Sequence, residues 1–198
     1  MKRFKGTKGM ICFLLLILML VGYYYYLSNR SMNMKRQKDD VELSPVQEVL
    51  LRDLDKNYPP TPKEVMKYYL GITKCLHNEE ITDEELHDLA LKIQGLYDDE
   101  LIANKSEDDY IADLKSEITT FKDNKYNISN YYTSVSTDVD YFTMNDYDFA
   151  KLYCTYYIRV QSSTQTLEEV FLLRKDENSH WKIYGWEPVT EQETDGSQ

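Results

Sequence analysis

The chain has 198 residues, 42% hydrophobic and 29% charged, ordinary proportions for a globular protein long enough to bury one sizeable core. Its net charge of −11 is unevenly divided: residues 1–38 hold eight Lys or Arg and no Asp or Glu, which leaves 15 of the 23 basic groups against all 34 acidic ones in the rest, a balance of −19. So acidic a body is repelled by phosphate backbones and anionic head groups, which argues against nucleic acid as a partner.

From Gly9 to Asn29 there are 21 residues without a charge, centred on Met10-Ile-Cys-Phe-Leu-Leu-Leu-Ile-Leu-Met-Leu-Val21. As a helix such a run spans about 30 Å, the hydrocarbon thickness of a bilayer. Tyr23 to Tyr26 stand at one end, where an aromatic belt belongs. Lys2, Arg3, Lys5 and Lys8 precede the run closely, while Arg30, Lys35, Arg36 and Lys38 follow it at greater distance. The expectation is a single-pass signal anchor with residues 1–8 in the cytoplasm and the rest extracytoplasmic. A cleaved signal peptide, with a weak site after Gly22, is the rival, and it leaves the domain outside as well.

Residues 30–60 read as a polar linker with one short helix. Four helix starts then carry the same chemistry, a Ser or Thr with Gln, Glu or Asp three residues on: Ser44-Pro-Val-Gln47, Thr61-Pro-Lys-Glu64, Thr82-Asp-Glu-Glu85 and Ser106-Glu-Asp-Asp109. Apolar residues follow each at helical spacing: Val46, Val49, Leu50 and Leu54; Val65, Tyr69, Ile72 and Leu76; Leu86, Leu89, Ala90, Ile93 and Leu96; Tyr110, Ile111, Leu114, Ile118 and Phe121. Such stripes are core faces by default.

The period then changes to two. Strands are expected at about 131–141, at 150–160 with Ala150, Leu152, Cys154, Tyr156, Ile158 and Val160 on one face, at 167–174 with apolar residues on both faces, and at 180–186. Residues 190–198 read as a disordered tail. The order is that of an α+β domain over residues 61–189, three to four helices packed on a curved four-stranded antiparallel sheet.

This order, with the terminal Trp181-Lys-Ile-Tyr-Gly-Trp186, resembles the cone-shaped nuclear-transport-factor-2-like domains, whose last strand often reads Trp-x-Ile followed by a small residue. The whole chain resembles an uncharacterised family of small membrane-anchored proteins from Gram-positive bacteria. The wider resemblance implies one of two roles. Some such domains are isomerases or dehydratases; others are non-catalytic modules, among them membrane-anchored assembly components of secretion and conjugation machines.

The residues favour the second role. Enzymes of that superfamily place an Asp–His or Tyr–Asp pair inside the cone. Here the inward strand positions are expected to be Leu152, Cys154, Tyr156, Ile158, Trp181 and Ile183, with no Asp, Glu or His among them. His77, His87 and His180 read as solvated or capping residues. Asp98-Asp-Glu100, Glu107-Asp-Asp109 and Asn145-Asp-Tyr-Asp148 lack the alternation of an EF-hand loop, and no Cys/His spacing suits a metal. No cofactor or metal is therefore expected. Cys75 and Cys154 are either bridged or buried thiols.

The expected function is a non-catalytic, extracytoplasmic binding or assembly module, contacting a protein partner in a cell-envelope or secretion assembly through Tyr153, Tyr157, Tyr132 and Trp186 on the outer sheet face. Tyr156, Trp181 and Cys154 would line the interior. The alternative is a small-ligand receptor or isomerase-type enzyme, which needs a cavity open to solvent with at least one buried ionisable group.

Overall fold

The computed structural model describes residues 43–189. The segment read as an anchor at 9–29, the tail at 1–8, residues 30–42 of the linker and the tail at 190–198 lie outside the described residues. Among the described residues, no helix is long and apolar enough to cross a membrane.

The described chain is α+β, with five helices followed by a five-stranded antiparallel sheet. The helices are α1 (Pro45–Leu50), α2 (Pro62–Asn78), α3 (Asp83–Gln94), α4 (Asp99–Ile102) and α5 (Glu107–Asp123). Each of the four capping signals starts a helix. Ser44, Thr61, Thr82 and Ser106 accept the amide of the residue three positions on at 3.2, 3.3, 3.2 and 3.2 Å. The side chains of Gln47 and Glu85 return the bond to the cap amide. The short α4 was not expected; Asp98 caps it.

The strands are β1 (Tyr126–Thr133), β2 (Asp140–Met144), β3 (Tyr147–Val160), β4 (Ser163–Lys175) and β5 (Trp181–Pro188). They number five and not the four read from alternation. The stretch expected as one strand near 131–141 is broken by a 3-10 turn at Ser136–Asp138, and β1 and β2 pair with successive halves of the 14-residue β3. Asn145 and Asp146, both with positive φ (50° and 66°), make the two-residue connection from β2 to β3. Asn and Asp tolerate that conformation, so this acidic cluster is a hairpin turn.

The helices cover one sheet face. Ala150, Leu152, Cys154 and Tyr156 of β3, with Phe171 and Leu173 of β4, form one buried cluster with Val65, Met66, Tyr69, Leu70, Ile72 and Leu76 of α2. Leu96 and Ile183 exchange backbone hydrogen bonds with their surroundings at the β5 edge: the Ile183 amide donates to the Leu96 carbonyl at 2.8 Å, and the Asp98 amide to the Ile183 carbonyl at 2.9 Å. This segment covers an edge that would otherwise expose unpaired backbone. Cys75 and Cys154 are both buried and free, and burial pushes the Cys154 thiol up to about 12.

One irregularity in β5 decides what the sheet presents to the helices. Leu173 pairs with Ile183 but Leu172 pairs with Gly185, so the strand carries one extra residue at Tyr184. Strict alternation puts Trp186 on the face opposite Trp181 and Ile183. The bulge resets the phase, and Trp186 stands beside Phe171 on the inner face, ring centroids 5.9 Å apart and 19° from parallel.

Candidate functional site

Helix α5 does not close down on the sheet. Of its 17 residues only Ile118 is buried, although Tyr110, Leu114 and Phe121 continue the same stripe. Those side chains instead form one wall of a cleft of about 580 Å³. Tyr69, Thr73 and His77, one turn apart on α2, form the opposite wall. Leu101 and Ile102 of α4 stand at the rim, and Tyr156, Leu167, Glu169 and Trp186 form the sheet floor.

The cleft is walled by aromatic rings and, in about equal number, by Leu and Ile side chains. Tyr97 lies 5.7 Å from Trp186 at 29°, 6.1 Å from Tyr110 at 76° and 6.3 Å from Tyr69. Burial raises the phenol pKa values of Tyr69, Tyr97, Tyr110 and Tyr156 well above the ordinary tyrosine value, so their hydroxyls stay neutral and available as hydrogen-bonding groups.

Two ionisable groups, Glu169 and His77, belong to this site. Glu169 is on the inner face of β4, opposite Cys154, and is half-buried. Burial, and secondarily the charge of Glu117, raises its pKa above the usual 4.5. The expectation that no acid faces inward is therefore corrected. The signal was present: Leu167, Glu169, Phe171 and Leu173 are one alternate set, and reading β4 as apolar on both faces hid it.

His77 is not a solvated cap but 6% exposed. Its Nδ1 lies 2.8 Å from the Thr73 carbonyl oxygen and its Nε2 3.3 Å from Glu117 Oε1, while its ring meets Phe121 edge-on at 4.7 Å. Both partners are acceptors, so both contacts are hydrogen bonds when the ring carries both protons. The bond from His77 in turn lowers the pKa of Glu117. His87 and His180 are half-exposed; His180 stacks on Tyr58 at 4.2 Å.

Of the residues singled out for the interior, Tyr156 lines the cleft, while Trp181 and Cys154 are packed in the core away from it. Trp186, assigned by alternation to an outer contact surface, lines the cleft at its mouth and is 41% exposed. Tyr132, Tyr153 and Tyr157 stand on the outer sheet face, Tyr132 and Tyr157 edge-to-face at 5.7 Å. Among the described residues, no group of three or more His, Cys, Asp or Glu is placed to hold a metal ion. Asp98, from one acidic cluster, instead caps α4 and receives both Nε and Nη2 of Arg174, at 2.9 and 2.6 Å.

The family model described as Domain of unknown function (DUF6715) matches residues 1–186, and the chain belongs to that family. No curated protein matches the chain.

Proposed function

We propose that this family member is a membrane-anchored, extracytoplasmic binding module whose α+β domain, of the cone-shaped nuclear-transport-factor-2-like kind, holds a small organic ligand between α5 and the sheet. The anchor is the uncharged run at 9–29, and the bacterial source is Gram-positive. The observation that carries the ligand reading is the aromatic-walled cleft of about 580 Å³ with a half-buried carboxylate, Glu169, on its floor. Its volume lies within the range of small-molecule sites, roughly 300–1,000 Å³, and apolar walls with a few convergent polar groups are their usual composition.

The module is non-catalytic in this reading. The ionisable groups around the cleft are either paired with each other, as His77 and Glu117 are, or alone, as Glu169 is. Proton transfer on a bound substrate needs an acid and a base set at two sides of one reacting centre. A second surface supports a protein partner in a cell-envelope or secretion assembly. Tyr132, Phe142, Met144, Tyr147 and Tyr153 are all exposed on the outer sheet face, on or beside the β2–β3 hairpin, and exposed apolar groups gathered in this way mark contact surfaces.

The test is a ligand-observed NMR screen of small organic molecules against the full chain in detergent micelles. Hits should lose their saturation transfer when Ile102 at the rim is replaced by Trp, which fills the mouth. Hits that bind the Ile102→Trp variant unchanged, or no hits at all, would count against the cleft as the binding site.

A further inference from the structure

We infer that the ligand of the cleft is an organic cation, an ammonium group carried on an apolar body, with its charge at Glu169 and its body among the rings of Tyr69, Tyr97, Tyr110 and Trp186. This rests on the small-ligand reading above and narrows it to one chemical class.

Charge is the first argument. Five ionisable side chains other than tyrosine line the cleft: Glu169, Glu117, Asp113, Lys105 and His77. Lys105 is bonded to Asp113, and His77 to Glu117. Glu169 alone has no counter-ion and no hydrogen-bond donor among the described residues. A carboxylate kept half out of water without a partner is unfavourable, and its raised pKa is the mark of that cost. A cation brought from solution relieves it; a neutral molecule does not, and an anion makes it worse.

The walls are the second argument. An aromatic ring offers a negative face to a cation, so rings bordering the space beside Glu169 add to the attraction for an ammonium group placed there. Tyr97 packs against Trp186, Tyr110 and Tyr69, every ring centroid within 6.3 Å of its own, so the four rings form one continuous wall of the cleft. The phenols are neutral, so they compete with no carboxylate for the cation.

Size is the third. A bare metal ion needs several converging oxygen ligands, and only Glu169 is unpaired here, in a space of about 580 Å³. The apolar walls call for an apolar body attached to the charge.

Four probes of nearly one size separate these claims: 2-phenylethylammonium, its N-trimethyl derivative, 2-phenylethanol and 3-phenylpropionate. Titrated calorimetrically into the full chain in detergent micelles at pH 7, both cations should bind. The alcohol should bind about ten-fold more weakly, and the carboxylate not measurably. Glu169→Gln should bring the cations down to the affinity of the alcohol and leave the alcohol unchanged. A thermal melt of that variant, expected to be no lower than the parent's, shows that the fold is intact. Equal binding of alcohol and cations, preference for the carboxylate, or cation binding indifferent to Glu169→Gln would each overturn the cation assignment while leaving the cleft as a ligand site. Silence of all four probes with an intact melt overturns it too. The cleft itself then stands or falls on the screen with Ile102→Trp.

Discussion

Trp186 lies almost flat on Phe171, on the inner face of the sheet, because one extra residue at Tyr184 shifts the register of β5. A strand whose pattern is otherwise strictly alternating thereby places three successive large apolar groups, Trp181, Ile183 and Trp186, on the same side. Gly185, opposite Leu172, has open space where a Cβ would be and no positive φ, so neither a close approach nor the backbone conformation calls for glycine there.

The two tryptophans share a face but not a depth. Trp181 is 9% exposed, sits in the main core and carries the hydroxyl of Tyr58 on its carbonyl oxygen at 2.9 Å. Trp181→Ala should cost about 3–5 kcal/mol, as loss of a large core aromatic usually does. Trp186 is 41% exposed at the cleft mouth, and Trp186→Ala should cost about 1–2 kcal/mol. Urea melts of the two variants measure the difference; equal losses would contradict this division between core and mouth.

Arg174 bridges two carboxylates of different depth, and the two should not be equivalent. It gives two bonds to buried Asp98 and one, of 2.8 Å, to exposed Glu100, while its guanidinium sits 4.8 Å from the ring centres of both Tyr147 and Tyr184. Asp98→Ala leaves a largely buried cation short of its main partner and uncaps α4, and should destabilise by about 3 kcal/mol. Glu100→Ala removes a solvent-screened pair and an exposed hydrogen bond from the Tyr184 hydroxyl, and should leave the denaturation midpoint nearly unchanged. Similar midpoints for both variants would mean that the pair at Asp98 carries little of the fold.

The helix starts were legible because a capping side chain acts within three residues, as at Thr82 and Glu85. The strand count was not, because the break between β1 and β2 depends on where β3, far along the chain, ceases to pair with one and begins with the other. Half of the cleft was legible in principle: Tyr69, Tyr110 and Phe121 were read as core-facing, and they do face inward. That α5 stands off the sheet is set by packing between distant segments, and no local pattern reports it. Glu169 was readable by alternation along β4, whereas Trp186 was not, since a bulge is a backbone event that the side chains around Tyr184 do not announce.

A fragment of residues 43–198 contains every described element, and the only buried polar or charged side chains among the described residues, His77 and Asp98, have their partners inside it. It should fold without residues 1–42, giving mixed α and β circular dichroism and a cooperative melt. A reporter that works only outside the cell, fused after Gln198 of the full chain, should be active. A molten or aggregated fragment would contradict the autonomy of the domain, and reporter activity confined to the cytoplasm would contradict the anchored, extracytoplasmic placement.

The pH dependence of stability separates Glu169 from the other carboxylates. Its pKa in the folded state is raised, chiefly by burial, so its protonated form is the one the fold favours. The stabilising contribution is therefore fully present below the unfolded value, near 4.5, and is lost as pH rises through the folded value. Glu117 runs the other way. Its pKa is lowered by the bond from His77, and its contribution is present above the unfolded value and fades as pH falls. Glu169→Gln replaces the carboxylate by a neutral group of the same shape. At pH 7 the variant should be more stable than the parent, and near pH 4 the two should converge. Urea midpoints at the two pH values give the comparison directly. A variant less stable at pH 7 would mean that the ionised carboxylate is held by interactions the folded domain supplies itself, which removes the reason for it to await a cation.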